Sequence, residues 1–230
     1  MWSDPATWNV IVTGGSSGLG AAVCERLRSH GASPISIDRQ PSATTPTVIA
    51  DLSDSAVAER ATLDAIAQLG HVDAVVCCAG TDSPGALTAV DRITWERIVN
   101  VNLLGTAAVV RAAMPALEAR RGRVVTVAST LGHKAVGDAT AYCASKFGVV
   151  GFTRALAAES KGRVGVTLLT PGGMHTAFFD GRDDRYKPGP DAVLADPSEV
   201  AEAVVWTLCR PRGVEVRELV IMSPVEDSWP

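Results

Sequence analysis

The chain has 230 residues, is 47% hydrophobic and 20% charged, and carries a formal net charge of −4. This length suits one large domain, and because no long basic run occurs, the composition argues against a nucleic-acid partner. No uninterrupted apolar run approaches the roughly 18 residues that span a membrane, and residues 1–5 lack the basic start of a secretion signal. The five cysteines are an odd number in apolar segments, which predicts reduced thiols, a cytoplasmic protein and no metal site.

Short apolar runs alternate with longer amphipathic runs along the chain. Strands are predicted at residues 8–13, 34–38, 47–50, 73–78, 123–129, 163–170 and 218–222. Helices are predicted at residues 19–29, 54–69, 94–119, 140–160 and 199–209. Pro115 is expected to bend or end the third helix. Because the strands are apolar on both faces, the pattern predicts an α/β fold in which helices cover a parallel sheet, within one domain over residues 1–230.

A glycine-rich turn follows the first predicted strand and leads into the first predicted helix. Glycines let the backbone turn sharply and approach a pyrophosphate, and the start of the helix supplies N–H groups and the positive end of the dipole. The turn therefore predicts a dinucleotide site, which includes Gly14, Ser16, Ser17, Gly18, Leu19 and Gly20.

The second predicted strand ends at Asp38, eighteen residues after Gly20. A carboxylate at this position accepts hydrogen bonds from the adenosine ribose and repels a 2′-phosphate, which favours NAD. Arg39 follows directly, and it either stacks on adenine or binds a 2′-phosphate if Asp38 turns away. The sequence thus predicts NAD as the favoured cofactor and NADP as the alternative.

Tyr142 and Lys146 are four residues apart in an Ala-rich predicted helix, so both lie on one face of it. An unperturbed tyrosine has a pKa of about 10, and a nearby ammonium favours the phenolate. Ser129 lies at the end of the fifth predicted strand, thirteen residues before Tyr142. Its hydroxyl can bind a carbonyl oxygen as Tyr142 donates a proton, so the three side chains suit reversible reduction of a ketone.

Over residues 10–222 the chain resembles the classical short-chain dehydrogenase/reductase (SDR) family. The resemblance is carried by Thr13-Gly14-(x3)-Gly18-Leu19-Gly20, Val101-Asn102-Leu103, Ser129, Tyr142-(x3)-Lys146 and Pro171-Gly172-(x3)-Thr176. It implies a single-domain Rossmann fold whose seven-stranded parallel sheet is flanked by helices on both faces. It also implies hydride transfer between NAD(P) and a carbonyl or alcohol.

The resemblance implies a role for each matching catalytic residue. Tyr142 would be the acid and base, and Lys146 would bind the nicotinamide ribose and support the phenolate. Ser129 would orient the substrate oxygen. Asn102 would kink its helix and help to anchor a proton-relay water, and Thr176 would contact the nicotinamide carboxamide.

Further cofactor contacts are implied after the third, fourth and sixth strands. Asp51 lies where the family contacts adenine, with Leu52 beside it, but it equally suits the cap of the following helix. The family usually has Asn-Ala-Gly after the fourth strand, and the cysteine that replaces this asparagine predicts a local rearrangement near the adenine ribose. These implied contacts are Asp51, Leu52, Cys78, Ala79, Gly80, Pro171, Gly172 and Thr176.

A polar segment at residues 177–197 is predicted to form a substrate lid. The candidate substrate contacts are Ser129, His133, Gly173 and Phe178. His133 equally suits a solvated loop, and Phe178 equally suits packing within a short lid helix. Arg182, Arg185 and Lys187 either recognise an anionic substrate or belong to a solvated lid.

The favoured function is an NAD(P)-dependent oxidoreductase that interconverts a secondary alcohol and a ketone. The alternatives are a 3-oxoacyl thioester reductase of the same family and a dinucleotide-binding regulator without turnover. The resemblance also suggests a homotetramer, or otherwise a homodimer, in which the helices at 94–119 and 140–160 pair across a two-fold axis. The acidic tail at 225–230 either packs on a neighbouring subunit or is loose.

Overall fold

The structure is a computed structural model that describes residues 5–230. The predictions about residues 1–4, including the missing secretion signal, lie outside the described residues. One sheet contains seven parallel strands, which are β1 (Asn9–Thr13), β2 (Ser33–Asp38), β3 (Thr47–Ile49), β4 (Ala74–Cys77), β5 (Arg123–Val127), β6 (Gly165–Pro171) and β7 (Glu218–Ile221). Their order in the sheet is β3-β2-β1-β4-β5-β6-β7, so the direction of strand addition reverses between β1 and β4. Such a reversal opens a ligand crevice at the carboxyl ends of the strands.

Within residues 5–230, six α-helices surround the sheet: α1 (Gly18–Ser29), α2 (Ser55–Leu69), α3 (Arg92–Val99), α4 (Thr106–Arg120), α5 (Thr140–Ser160) and α6 (Pro197–Leu208). The Asp54 carboxylate caps α2 by accepting hydrogen bonds from two backbone N–H groups of its first turn. Asp196 caps α6, and Pro197 occupies the first turn, where its missing N–H costs nothing. Because of this cap and proline, α6 begins at Pro197, two residues before the predicted start at residue 199.

The two faces of the sheet each carry a hydrophobic core. Along β1, the side chain of Ile11 packs on the face covered by α2 and α4, whereas Val10 and Val12 pack on the face covered by α1 and α6. All three side chains are fully buried. This alternation confirms the predicted seven-stranded parallel sheet with helices on both faces.

The helix predicted at residues 94–119 differs from the structure in its start, its continuity and its end. The helical run begins at Arg92 and contains a π-helical segment, Asn100–Gly105, between α3 and α4. Pro115 lies inside α4 and does not end it. Because Pro115 is exposed, water can bond the carbonyl that its ring leaves without a donor.

The run Arg92–Arg120 is 29 residues long and includes an 18-residue window of mean hydropathy 1.3. By length and composition alone it is able to cross a bilayer. The sequence contains no uninterrupted apolar run here, because polar residues divide the segment, and the sequence-based expectation therefore missed this apolar window. Half of that window is buried inside the protein, which accounts for its apolar composition.

Candidate active site

The catalytic candidates gather at the carboxyl end of the sheet. Tyr142 and Lys146 lie in the first turns of α5, and Ser129 follows β5. The Ser129 side chain lies near enough to the Tyr142 phenol to influence its pKa. The Lys146 ammonium lies 5.6 Å from the centroid of the Tyr142 ring. The structure therefore brings together three side chains that are up to seventeen residues apart in the sequence.

The environment of Tyr142 keeps its phenol protonated. Burial raises the pKa of Tyr142 above its ordinary value, and the Asp82 carboxylate adds to this. The neighbouring Ser129 hydroxyl and the charge of Arg182 lower the Tyr142 pKa, but by less than burial raises it. The sequence-based expectation that a nearby ammonium favours the phenolate is therefore wrong in direction, since burial dominates. A protonated phenol at neutral pH suits an acid that donates to a carbonyl oxygen.

Lys146 is a buried cation beside this phenol. Its side chain is only 4% exposed, and its ammonium donates a hydrogen bond of 2.8 Å to the Val127 carbonyl. Burial lowers the pKa of Lys146 to about 8, although the nearby Cys78 and Asp82 groups oppose this. Lys146 can therefore lose and regain a proton near neutral pH.

Asn102 lies in the π-helical segment, which provides the predicted kink. Its side-chain oxygen accepts a hydrogen bond of 2.8 Å from the Thr81 N–H. Its amide nitrogen donates to the Thr81 carbonyl at 2.9 Å and to the Ser145 hydroxyl at 3.0 Å. A Cβ built on Gly80 would lie 3.6 Å from the Asn102 oxygen and 3.8 Å from the Lys146 nitrogen. The loop after β4 thus passes directly beside both predicted catalytic residues.

The glycine-rich turn has the shape of a phosphate cradle. Gly14 and Gly18 adopt φ values of +72° and +52°, which favour glycine. A Cβ on Gly20 would lie 2.2 Å from the Gly14 carbonyl oxygen, so only glycine allows this close packing. The Ser17 side chain makes no capping bond to α1, which leaves the N–H groups of the first turn without a side-chain partner. These features fit the pyrophosphate of a dinucleotide.

Asp38 lies at the rim of this turn. One carboxylate oxygen accepts hydrogen bonds from the Ser16 N–H at 3.0 Å and the Ser16 hydroxyl at 2.6 Å. The other oxygen accepts from the Gln40 N–H at 3.2 Å. Arg39 is exposed. Each carboxylate oxygen retains acceptor capacity, so the position fits the predicted contact with a ribose diol.

Asp51 is engaged within the protein. It accepts a hydrogen bond of 2.9 Å from the Ser53 N–H and forms an ion pair of 2.9 Å with Arg97. Burial opposes the effect of these partners, but together they lower the pKa of Asp51. Because Asp54 caps α2, the interpretation of Asp51 as the helix cap is wrong.

Two of the predicted cofactor contacts, Leu19 and Leu52, bury their side chains in the core, at 7% and 5% exposure. Only their backbone groups can face a ligand. After β4, Cys78 is partly exposed, and the Ala79 N–H donates a hydrogen bond of 3.1 Å to the Thr13 hydroxyl. The turn that follows β4 is therefore fastened to the end of β1, next to the glycine-rich turn.

The loop after β6 carries the predicted nicotinamide contacts. Pro171 is the last residue of β6, and the Gly172 N–H donates a hydrogen bond of 3.0 Å to the Ile221 carbonyl. The Thr176 side chain lies opposite Gly18, at 3.6 Å from a Cβ built there. This loop and the glycine-rich turn thus form the two sides of one crevice.

The C-terminal tail packs on its own chain, which corrects the expectation that it is loose. The Glu226 carboxylate accepts a hydrogen bond of 2.9 Å from the Gly173 N–H. The Trp229 ring lies 5.2 Å from the His133 ring, which also contacts the Thr170 hydroxyl at 3.2 Å. The interpretation of His133 as a solvated loop residue is therefore wrong.

The predicted lid covers the catalytic residues. The Phe178 ring, with 36% of the residue exposed, lies 5.8 Å from the Tyr142 ring, centroid to centroid. The Tyr186 hydroxyl donates a hydrogen bond of 2.8 Å to the carboxylate of Asp138, which lines the same cleft as Tyr142. A small cleft beside Tyr142 is lined in part by Trp95, which the sequence analysis did not identify.

Among the described residues 5–230, no group of three or more His, Cys, Asp or Glu side chains is arranged to hold a metal ion. None of the five cysteines, all of which lie within the described residues, forms a disulfide bond.

Comparison with known proteins points to one family. Residues 8–187 match the family model described as short chain dehydrogenase. The 2-dehydro-3-deoxy-L-rhamnonate dehydrogenase (NAD(+)) of Sphingomonas sp. is 36% identical over 74% of this chain and 73% of that protein. The 3-oxoacyl-acyl-carrier-protein reductase MabA of Mycobacterium tuberculosis is 30% identical over 85% of this chain and 83% of that protein. The chain also matches glycine betaine reductase ATRR of Emericella nidulans at 31% identity over 92% of its length, but it spans only 18% of that protein.

Among solved structures, the closed form of serine dehydrogenase complexed with NADP+ has a TM-score of 0.84 and 25% sequence identity. The superposition covers 94% of each chain.

Proposed function

The chain belongs to the short-chain dehydrogenase family, and on this basis we propose that it interconverts a secondary alcohol and a ketone by hydride transfer with NAD(P). Enzymes of this family act on CH–OH groups, which fits the chemistry of the site. The observation that carries the proposal is the cluster of Ser129 with the buried Tyr142 and Lys146 beside a glycine-rich crevice.

In the proposed reduction, the Tyr142 phenol donates its proton to the substrate oxygen. The Ser129 hydroxyl holds the same oxygen, so that the developing negative charge meets two donors. NAD(P), when bound between the glycine-rich turn and Thr176, supplies the hydride. Lys146, with a pKa of about 8, can then return a proton towards Tyr142. In the reverse direction Tyr142 accepts the alcohol proton.

Absorbance of NADH and NADPH across a panel of ketones and alcohols tests the proposal. We expect consumption of the reduced cofactor with at least one ketone, and loss of that activity in Tyr142→Phe. Binding of a dinucleotide without turnover of any carbonyl or alcohol would instead support a regulator without enzymatic activity. The pairing of Tyr142 with a buried lysine argues against such a regulator, because a ligand-binding domain has no use for a proton donor of this kind.

A 3-oxoacyl thioester is the second candidate substrate. The likeness to the MabA reductase, at 30% identity over most of both chains, favours it. Acetoacetyl-CoA and a simple methyl ketone, assayed at equal concentration, distinguish the two. A higher kcat/KM for the thioester would favour the acyl reductase, and a higher value for the ketone would favour the first proposal.

We propose NAD as the preferred cofactor. The support is the Asp38 carboxylate, which is held by Ser16 at the rim of the glycine-rich turn and would repel a 2′-phosphate. Titration of NADH and NADPH by protein fluorescence should give the lower Kd for NADH. A lower Kd for NADPH would mean that the exposed Arg39 governs the site.

We further propose a cytoplasmic homotetramer, or otherwise a homodimer. Its support is the exposed apolar surface on the helices predicted to pair, where Ile93, Leu104 and Phe147 are 70%, 46% and 45% exposed. The absence of disulfide bonds among the five cysteines of the described residues supports the location. Light scattering at micromolar concentration tests the assembly, and a monomeric mass would contradict it.

A further inference from the structure

The lid contains one cation that is buried, Arg182, among others that are solvated. The Arg182 side chain is 12% exposed, and the Asp82 carboxylate beside it is 7% exposed. By contrast, Arg185 and Lys187 are 68% and 42% exposed and pair with acidic residues of the lid itself. Arg185 and Lys187 are therefore solvated, as the lid interpretation expects, whereas Arg182 is not.

Two aromatic rings hold the Arg182 guanidinium in place. Its central carbon lies 4.7 Å from the centroid of Phe178 and 4.8 Å from that of Phe179. Phe178 in turn contacts the Tyr142 ring. Arg182 is thus one aromatic ring away from the predicted acid, and its charge reaches the phenol. A guanidinium that packs against two aromatic rings loses little conformational freedom when it binds a ligand.

Two of the three guanidinium nitrogens of Arg182, Nε and Nη2, make no hydrogen bond within the described residues. Its Nη2 atom lies 3.1 Å from an Asp82 oxygen, which neutralises the charge, but the alignment does not make a directed hydrogen bond. The Nε and Nη2 atoms are buried without a hydrogen-bond partner. Buried charged donors are costly to leave unsatisfied, so their retention beside a reaction site indicates a ligand.

We propose that Arg182 binds the carboxylate of the substrate, so that the enzyme acts on oxo acids and hydroxy acids. This inference rests on the proposed function and specifies its substrate class. The planar fork of a guanidinium matches a carboxylate through two parallel N–H···O bonds, and it offers no acceptor to a neutral amide or alcohol. Without substrate, the Asp82 carboxylate neutralises the guanidinium, and the substrate carboxylate competes with it for Arg182.

The test compares acids with their neutral methyl esters. Pyruvate, acetoacetate and levulinate place the carboxylate at increasing distances from the ketone, and each is assayed beside its ester with NADH and NADPH. We expect the wild type to prefer one acid over its ester, and Arg182→Gln to lower that acid-to-ester ratio of kcat/KM by about 10- to 100-fold, the range for a lost charge-assisted pair. Arg185→Gln is the matched control, because it removes one positive charge from the same lid at an exposed position, and it should leave the ratio unchanged.

Two results would overturn the inference. The first is a wild type that prefers the esters throughout. The second is an Arg182→Gln enzyme that loses acids and esters equally, since this would mean that Arg182 only holds the lid closed. Asp82→Asn separates these roles further: removal of the competing carboxylate should maintain or strengthen the acid preference, whereas a collapse of the ratio would contradict the proposal.

Failure of the proposed function is distinguishable from failure of this inference. If no carbonyl is turned over, the proposed oxidoreductase activity is wrong. Binding then decides the inference, through calorimetric titration of acetoacetate and its methyl ester into NADH-loaded wild type and Arg182→Gln. Tighter binding of the acid that depends on Arg182 supports the carboxylate site, and equal binding of acid and ester by the wild type refutes it.

Discussion

Replacing Lys146 with methionine should stabilise the protein while it removes activity. The pKa of Lys146 falls from 10.5 to about 8 because burial disfavours the ammonium. At neutral pH this corresponds to a cost of about 3 kcal/mol to the folded state. Methionine has a similar length and carries no charge, so it avoids this cost. It leaves the Val127 carbonyl without its 2.8 Å donor, which costs about 1–2 kcal/mol.

The expected net gain is therefore about 1–2 kcal/mol at neutral pH, or about 2–8 °C in Tm for a domain of this size. The pH dependence gives the sharper test. Between pH values of about 8 and 10.5 the unfolded chain holds the Lys146 proton that the folded protein has lost, so the wild type becomes more stable as pH rises. By a pH of about 9.5, roughly 2 kcal/mol of the cost should be relieved in the wild type and none in Lys146→Met.

Urea unfolding of both proteins without cofactor, at pH values of about 7 and about 9.5, measures this difference. We expect the advantage of Lys146→Met to shrink or reverse at the higher pH. If the wild type and Lys146→Met differed in stability by the same amount at both pH values, the claim that the buried Lys146 ammonium destabilises the folded protein would be refuted.

Three further predictions concern the cofactor turn, a helix cap and the lid. Gly20→Ala places a Cβ 2.2 Å from the Gly14 carbonyl oxygen and should abolish NADH binding. Gly137→Ala is the control, because its Cβ meets no atom within 4 Å and should leave NADH binding unchanged. Fluorescence titration measures the Kd of both variants for NADH, and tight binding by Gly20→Ala would contradict the packing argument. Asp54→Ala should lower the free energy of unfolding by about 0.5–2 kcal/mol without changing the Kd for NADH, and an unaltered urea midpoint would show that the α2 cap contributes nothing. Hydrogen exchange at residues 178–187 should slow when NADH and substrate bind together. Equal exchange in the free and the bound protein would contradict the prediction that this segment closes as a lid.

The spacing of residues in the sequence predicted the sheet and the proximity of Tyr142 and Lys146, because both depend on local patterns. Tyr142 and Lys146 share a helix face, and their four-residue separation places them together whatever surrounds them. The strands were recognisable because burial on both faces requires continuous apolar runs. The start of α6 was also predictable, since Asp196-Pro197 is a cap followed by a first-turn proline, but this signal was overlooked.

Other features depend on contacts between distant segments, which residue spacing does not reveal. Arg182 pairs with Asp82, which is one hundred residues away, so its burial could not be deduced from the charged lid sequence. The Ser228 hydroxyl bonds to Thr130 across 98 residues, and for that reason the position of the tail was missed. The sequence suggested a lowered pKa for Tyr142 from the neighbouring lysine, whereas the structure raises it. Burial causes this rise, and the depth of burial follows from tertiary packing.

The most direct test of the central claim is a single-turnover measurement of NADH oxidation by a ketone substrate, in the wild type and in Tyr142→Phe. The substitution removes one hydroxyl and little volume. We predict that the rate of hydride transfer falls by about 10²- to 10⁴-fold, as expected for loss of a general acid, while the Kd for NADH stays the same. A Tyr142→Phe enzyme that retains about half of the wild-type rate would contradict the assignment of Tyr142 as the proton donor.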